Sequence, residues 1–428
     1  MLAVNRGAIK SALDDWNRST AKSMDRLLAR TTVPALPKKH ALALLGVRRC
    51  GKTHLGLEVA KRSGLRTLYF NFEDPLFYAE ADVSALDQLV SVYSEFEGSE
   101  PELIVFDEIQ NVEGWERWVR KAVDTERHRL IVTGSSARLL SAELATAIAG
   151  RARRHEVWPL SLSEVLAFQG VDLHSLTPNE RVGAARRYLE WGGMPEVVLT
   201  SDHIERTALL RHYVDDIVLR DVISRHSIRE KRRLDQLIAY ITTNASCLFS
   251  YRRIKGVFGI DVDTAQDYFS YLNDAFFAFA VSRFHPNLNV SARDPQKLYV
   301  IDTGMRNAMS RSHSEDIGRL AENAVYIELR RRGCDVTYWQ SPEHGVDFVV
   351  RDGPEPVAAI QVSWDSLGPG PTRDRELAAM FAALEALGLP AGTVLTLDRE
   401  ERVTQNQRTV TLMPVWRFLI GDGDVGAR

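Results

Sequence analysis

The octapeptide Gly46-Val-Arg-Arg-Cys-Gly51-Lys52-Thr53 carries the clearest chemistry in the chain. The apolar run Ala41–Leu45 before it predicts a strand, and Thr53–Lys61 predicts a helix. A GxxxxGK[ST] segment between a strand and a helix is typical of phosphate-binding loops, because its glycines turn backbone amides toward an anion. We expect Lys52 to reach the β- and γ-phosphates of a nucleotide and the Thr53 hydroxyl to hold Mg²⁺. The alternative is a chance match in a glycine-containing turn.

Two adjacent carboxylates end a later apolar strand, Glu102-Leu-Ile-Val-Phe-Asp107-Glu108. The separation from Lys52 leaves room for one βα unit and a return to a neighbouring strand. We expect Asp107 to bind Mg²⁺ through water and Glu108 to act as the catalytic base on the attacking water. Alone, such a pair is more often a solvated strand end.

Two further segments are candidates for contact with the γ-phosphate. The hydroxyl-rich strand end Thr133-Gly-Ser135-Ser has a possible sensor in Ser135, with an ordinary helix cap as the alternative. Gly150-Arg151-Ala-Arg-Arg154 offers an arginine finger to a neighbouring subunit, with Arg151 the first candidate, or else a solvated basic turn. The remaining predicted nucleotide contacts surround the loop lysine: Gly46, Arg49, Cys50, Gly51, Thr53 and His54.

The elements that must position these groups alternate between strand and helix up to about residue 133. Such alternation predicts a parallel sheet covered by helices. After Arg154 the strand signal fades, and helices are predicted at Ser161–Gln169, Asn179–Glu190 and through Ile204–Arg233. Three later helices, with caps at Ser250 and Asp263, precede a strand-like Phe277–Phe284 and suggest a winged helix-turn-helix.

The last third restarts as a mixed α/β unit. Strands are predicted at 297–301, 336–339, 346–350, 357–362 and 393–397, with helices from Ser314 or Asp316 to Arg332 and over Asp374–Leu387.

Length and composition narrow the function classes. The chain has 428 residues, enough for about three domains. Lys and Arg number 54 against 57 Asp and Glu, a net charge of −3, which excludes a broadly basic nucleic-acid binder. Its three cysteines are far apart and indicate a reducing compartment. We see no secretory signal or apolar run of membrane-spanning length, and expect a soluble cytoplasmic protein.

Taken together, several motifs resemble the AAA+-type prokaryotic ATPases that carry a C-terminal domain of unknown function. The matching segments are Gly46–Thr53, Phe106–Gln110, Thr133–Ser136, Gly150–Ser161 and the lid-like Glu190-Trp-Gly-Gly-Met-Pro-Glu196. The resemblance implies ATP and Mg²⁺ as cofactors and a homo-oligomer. It also implies an α/β P-loop NTPase core with a parallel sheet at 1–160, a helical lid at 161–230, a winged helix at 231–295 and a restriction-endonuclease-like domain at 296–428.

The C-terminal domain departs from the nuclease pattern. In PD-(D/E)xK nucleases acidic groups hold Mg²⁺ and a lysine orients water. Glu322 and Asp347 resemble the acidic positions, but Gln361 stands where an acid is expected and Ser363 where a lysine is expected. We therefore expect a fold retained for structure or binding, with hydrolysis lost or very weak.

The predicted recognition helix, Asp263–Asp274, contains three aspartates and no Lys or Arg. Such a surface repels phosphates, so basic residues in Arg229–Arg233 and Arg252–Lys255 are the candidates for nonspecific nucleic-acid contact, or are solvated helix faces. The leading hypothesis is an ATPase that acts on nucleic acid or a nucleic-acid-linked assembly. The alternative is a nucleotide-controlled scaffold or regulator that binds a protein partner and hydrolyses ATP slowly.

Overall fold

A computed structural model describes residues 6–77, 83–135, 150–226, 228, 230–285, 287, 294–310 and 317–423. The chain forms two compact units, Met1–Val157 and Trp158–Arg428. Among the described residues, no helix has the length and apolarity needed to cross a membrane.

The N-terminal unit is built on a five-stranded parallel sheet. Its strands are β1 (Ala41–Gly46), β2 (Thr67–Asn71), β3 (Leu103–Asp107), β4 (Arg129–Ser135) and β5 (Ala152–Glu156). They are ordered β2-β3-β4-β1-β5. β1 and β3 are buried along their whole length, as expected of central strands in a parallel sheet.

The strand β5 is a correction, because no strand was predicted between residue 133 and the helices that begin at Ser161. Three of its five residues are charged and all three are exposed, so it lacks the apolar run by which a buried strand is recognised. Its position at the sheet edge, paired only with β1, explains why charged side chains are tolerated there.

Helices alternate with these strands, as predicted: α1 (Arg6–Asp25), α2 (Lys52–Ser63), α3 (Ser84–Glu97) and α4 (Trp115–Asp124). The N-terminal helix α1 places Ile9 and Leu13 in the core of this unit. The Trp16 indole N–H of α1 donates to Asp74 Oδ2 at 2.8 Å, and its ring lies 5.7 Å from the ring of Tyr69 in β2.

The second unit begins with helices: α5 (Leu162–Phe168), α6 (Pro178–Trp191), α7 (Pro195–Leu199), α8 (His203–Asp216), a π-helical segment Ile217–Ile223 and α9 (Ser224–His226). The first two start with capping boxes, Ser161 with Glu164 and Thr177 with Glu180. In each, the hydroxyl and the carboxylate satisfy two backbone amides that a helix start leaves without partners.

A group of helices and short strands follows: α10 (Lys231–Thr243), β6 (Leu248–Phe249), α11 (Tyr251–Phe258), α12 (Val262–Asp274), β7 (Ala278–Val281) and β8 (Gln296–Val300). The strands form an antiparallel sheet ordered β6-β8-β7. Ser250 caps α11 as predicted, whereas the expected cap at Asp263 is wrong, because α12 already begins after Asp261. The strand near residue 297, placed by sequence in the C-terminal domain, pairs instead with β6 and β7.

The remaining elements surround a six-stranded mixed sheet. They are α13 (Thr303–Met309), α14 (Ile317–Arg331), β9 (Asp335–Gln340), β10 (Gly345–Asp352), β11 (Glu355–Val362), α15 (Pro371–Leu387), β12 (Ala391–Thr396), β13 (Glu401–Gln405), β14 (Arg408–Pro414) and α16 (Val415–Leu419). The sheet order is β13-β14-β12-β11-β10-β9. The sequence analysis did not predict α13, β13, β14 or α16.

Candidate nucleotide site

The sheet order brings three strand ends together. β4 lies between β1, which leads into the glycine-containing loop, and β3, which ends at Asp107. Because the strands are parallel, their carboxyl ends meet at one edge of the sheet, where ligands of open α/β folds bind. The loop and the acidic pair, far apart in sequence, are thereby neighbours.

The loop is shaped by two glycines. A Cβ at Gly46 would lie 2.2 Å from the carbonyl oxygen of Val157, so no side chain fits there. Gly51 immediately precedes α2 with a left-handed φ of 98°, which glycine adopts without strain. The Lys52 side chain is 6% exposed, and its ammonium donates to the carbonyl oxygens of Gly46 at 3.0 Å and Val47 at 3.1 Å. The ammonium is thus held against the loop that would surround a phosphate.

The Asp107 carboxylate is buried and accepts hydrogen bonds from four side chains. The donors to Oδ2 are Thr53 Oγ1 at 2.7 Å, Tyr69 OH at 2.9 Å and Asn71 Nδ2 at 3.4 Å. Thr133 Oγ1 donates to Oδ1. The two predicted metal-binding groups, on Thr53 and Asp107, are therefore in direct contact.

The electrostatics of this carboxylate depend on those donors. Burial, followed by the charge of Glu108, raises the pKa of Asp107, while the hydrogen bonds from Thr133 and Thr53 oppose the rise. Burial also raises the pKa of Tyr69, and the neighbouring Asp107 charge raises it further, so this phenol stays protonated and donates.

Glu108 directly follows Asp107 in the left-handed region, with a φ of 52°. Its backbone N–H donates to Thr133 Oγ1 at 3.3 Å, and its carboxylate accepts from Gln110 Nε2. Thr133 therefore contacts both acidic residues, donating to one and accepting from the other. Thr133 thereby holds the carboxylate of Asp107 and the backbone of Glu108 at the same strand end.

The other predicted site residues have different surroundings. Cys50 is fully buried, its thiol lies 3.2 Å from the Val157 carbonyl oxygen, and burial raises its pKa, as is typical of an unreactive thiol. Arg49 and His54 are exposed at the loop. Arg151 forms a two-point ion pair with Asp124 of the same chain, at 2.8 and 3.2 Å.

Ser135 ends β4, and its side chain lies outside the described residues. Two contacts of Asp107, Tyr69 and Asn71, were not predicted as site residues, and Thr133 was predicted only as part of the hydroxyl-rich segment that contains Ser135. Tyr69 and Asn71 alternate along β2, a spacing that places them on one face of the strand, and Asn71 is in register with Asp107.

The donor set suits Mg²⁺ and a triphosphate. Mg²⁺ prefers oxygen ligands, keeps several waters and is commonly bound by one or two protein groups plus phosphates. Thr53 and Asp107 supply two adjacent oxygens, and Lys52 supplies the cation for the phosphates. The described residues contain no cluster of three or more His, Cys, Asp or Glu able to hold a metal by themselves, so such a site depends on the nucleotide to complete it.

The predicted C-terminal residues form a different kind of cluster. Lys297 of β8 donates to Glu322 Oε1 at 3.1 Å and to Asp347 Oδ1 at 2.7 Å. Gln361 Oε1 accepts from the backbone N–H of Asp347 at 3.0 Å, and the Ser363 backbone N–H donates to Leu395. Burial, followed by the Asp347 charge, raises the pKa of Glu322 to about 7. Sequence reasoning did not include Lys297.

Comparison with known proteins agrees with the nucleotide site. Residues 38–166 match a family model described as an AAA domain, and residues 183–316 match a domain of unknown function, DUF8612. The AAA match, the parallel sheet and the loop geometry support an AAA-type P-loop ATPase domain in the N-terminal unit. They also support nucleotide binding there.

Two relatives that match most of this chain are described as uncharacterized proteins. One from Methanocaldococcus jannaschii is 28% identical over 94% of this chain and 93% of its own length. Another from Haemophilus influenzae is 29% identical over 75% of this chain and 81% of its own. Among solved structures, the Walker-type ATPase PABY2304 of Pyrococcus abyssi has a TM-score of 0.42 at 15% identity, covering 68% of this chain and 95% of that one. AMPPCP-bound DnaA from Aquifex aeolicus has a TM-score of 0.26 at 14% identity, covering 62% and 88%.

Proposed function

We propose that the protein is a cytoplasmic, homo-oligomeric Mg²⁺-dependent ATPase whose nucleotide state controls its C-terminal domains. The observation that carries this proposal is the contact between Thr53 of the loop and Asp107 of β3, with Thr133 between the two acidic residues. A chance match to the motif in a glycine-containing turn does not account for a threonine in contact with a buried carboxylate. In P-loop NTPases Mg²⁺ is held by the loop Ser/Thr and a strand-end Asp, so these two side chains must be neighbours.

Each residue has a role that follows from its position. Bound Mg-ATP supplies an electrophilic γ-phosphorus and a metal that neutralises phosphate charge. Lys52 binds phosphate oxygens, while Thr53 and Asp107 hold the metal. Glu108 accepts the proton of the attacking water, and its contact with Gln110 orients it.

The domains beyond the ATPase core are proposed from topology. Helices α5 to α9 would form the lid. The order helix, strand, two helices and two strands, with a β6-β8-β7 sheet, fits a winged helix that includes β8 and so extends past residue 295. The mixed sheet from β9 to β14, with helices α14 and α15, fits a restriction-endonuclease-like domain that has lost hydrolysis.

The surface of the proposed winged helix supports nonspecific nucleic-acid contact at most. The exposed positions of α12 include Asp263 and Asp267 and no basic residue. α11 instead exposes Arg252, Arg253 and Lys255, and Lys255 is paired with Asp261 at 3.0 Å. Basic side chains without base readout can follow a phosphate backbone, with an affinity that falls steeply with salt.

The decisive experiment uses two glutamates of one segment. Glu108→Gln removes the base but keeps the shape of the side chain, so ATP binds while phosphate release falls by about 10²-fold or more. Glu113→Gln changes an exposed neighbour and leaves turnover unchanged. Full turnover by the Glu108→Gln variant would refute the assignment of the base.

The effect of DNA on ATP turnover distinguishes an ATPase that acts on nucleic acid from a nucleotide-controlled scaffold. If DNA stimulates turnover and binds in a salt-dependent way, the nucleic-acid client is supported. If DNA neither stimulates turnover nor binds in this way, the alternative of a nucleotide-controlled scaffold for a protein partner is supported. That alternative is favoured by one observation, the acidic exposed face of α12.

A further inference from the structure

The Lys297 ammonium lies between two carboxylates in the second unit. It is 3.1 Å from Glu322 Oε1 and 2.7 Å from Asp347 Oδ1, and all three side chains are less than 15% exposed. Two carboxylates that converge within hydrogen-bond distance of one point and are shielded from water require a positive charge at that point. The chain itself provides this charge.

The other polar groups around Lys297, Glu322 and Asp347 already have hydrogen-bond partners in the protein. The Tyr299 hydroxyl donates to the same Glu322 oxygen at 2.7 Å, and the Val362 backbone N–H donates to Asp347 Oδ2 at 3.0 Å. The Gln361 carbonyl oxygen accepts from the backbone N–H of Asp347, and its amide donates to Glu376. The neutral Tyr299 and Gln361 side chains are thus hydrogen-bonded within the protein and bring no charge to balance the two carboxylates.

Lys297 lies on β8, a strand that is hydrogen-bonded to its neighbours near this residue. Lys297 and Tyr299 alternate along β8, so both reach the same side of the strand. The next residue, Val300, is tied to α14 by two hydrogen bonds of 2.8 Å with the Asn323 amide, one donated and one accepted. The ammonium is accordingly positioned by the same strand that completes the three-stranded sheet.

We propose that the Lys297 ammonium is the resident cation of the Glu322–Asp347 centre and occupies the position that a divalent metal would take. The centre is metal-free in the natural protein and connects β8 to α14 and β10 by charge. It becomes a divalent-cation site when the ammonium is removed, because both carboxylates then face an unneutralised position. This inference is independent of ATP binding at Lys52.

The test measures Mn²⁺ binding to the full-length protein without nucleotide. Wild type and Asp347→Asn bind the same number of Mn²⁺ ions. Lys297→Met binds one more ion per chain than wild type, and Lys297→Met/Asp347→Asn loses that extra ion. ATP affinity, measured in parallel, stays unchanged in all of them, so failure here is distinct from failure of the proposed ATPase.

Thermal melting gives a second readout. Without metal, Lys297→Met melts about 10 °C below wild type, since it leaves two buried carboxylates unneutralised. Mn²⁺ restores part of that loss only in this variant. If Lys297→Met does not fold, Lys297→Gln is used, because it removes the charge and keeps a hydrogen-bond donor. Mn²⁺ bound by wild type and lost in Asp347→Asn would overturn the proposal, as would a folded Lys297 variant that gains no ion.

Discussion

Thr133→Val tests whether one hydroxyl holds the acidic pair in place. Valine has nearly the same shape, so the sheet packing of β4 is retained while both hydrogen bonds of the hydroxyl are lost. Asp107 loses a donor to a buried charged oxygen, which costs about 1.5–3 kcal/mol, and the Glu108 N–H loses its acceptor, which costs about 1–3 kcal/mol. We expect a total loss of about 2.5–6 kcal/mol in the free energy of unfolding.

We expect ATP turnover of Thr133→Val to fall by more than the loss of stability explains. Without Thr133 the two carboxylates of Asp107 and Glu108 are no longer fixed relative to one another, and a misplaced base or metal ligand slows turnover by about 10²-fold. Nucleotide affinity changes less, because Lys52 and the loop are untouched. Urea unfolding, steady-state phosphate release and ATP titration measure the three effects separately.

Thr242→Val is the matched control. Thr242 is fully buried in α10, and its hydroxyl donates to the backbone carbonyl oxygens of Ile238 and Ala239, at 2.9 and 3.3 Å. Its loss costs about 1 kcal/mol and does not affect turnover. A Thr133→Val protein as stable and as active as Thr242→Val would refute the proposed role of the β4 hydroxyl.

Two further predictions concern Arg151 and Asp302. Arg151→Ala and Lys52→Ala are each inactive if Arg151 acts on a neighbouring subunit, and an equal mixture recovers about a quarter of wild-type turnover, because half the subunits keep the loop and half their neighbours keep the arginine. No recovery would confine Arg151 to its ion pair with Asp124. Burial raises the pKa of Asp302 from 3.8 to about 6, so the folded chain retains a proton there that the unfolded chain has released, and stability falls by about 2 kcal/mol as pH rises from 4 to 6. Urea unfolding across this range shows the fall in wild type and not in Asp302→Asn, and identical profiles would contradict it.

The sequence was sufficient for the loop and its flanking elements because their signals are local. A buried apolar strand, two glycines and an amphipathic helix follow each other directly, and β1 and α2 begin and end within a few residues of the prediction. The acidic pair was predictable for the same reason, since it directly follows an apolar run. Domain functions beyond the core came from the resemblance and remain proposals.

Groups that depend on strand register could not be predicted. The sequence offered Ser135 at the end of β4, but Phe106 of β3 lies beside Val132, so the next residues along, Asp107 and Thr133, are level with each other. β3 and β4 each contain an uninterrupted apolar run, so the alternation of residue types that marks register in half-buried strands is absent here. Tyr69 and Asn71 were missed because a tyrosine and an asparagine in a strand have many possible partners.

Lys297 was missed for a related reason. The nuclease pattern places the expected lysine at Ser363, near Gln361, whereas the cation comes from β8, in a different sheet. Only the fold shows that β8 passes beside Glu322. The charged edge strand β5 could not be predicted from the sequence either, because its residue types are those of a solvated turn.

The most direct test of the central claim is the affinity of the purified full-length protein for ATP in the presence of Mg²⁺, measured by calorimetry on wild type and Lys52→Ala. The account predicts saturable one-to-one binding by wild type and a Kd about 10–100-fold higher in Lys52→Ala, which corresponds to the loss of a charge-assisted contact of about 1.5–3 kcal/mol. Lys61→Ala, at an exposed position of the same helix, retains wild-type affinity. Absence of ATP binding by wild type, or equal affinity in Lys52→Ala, would contradict the account.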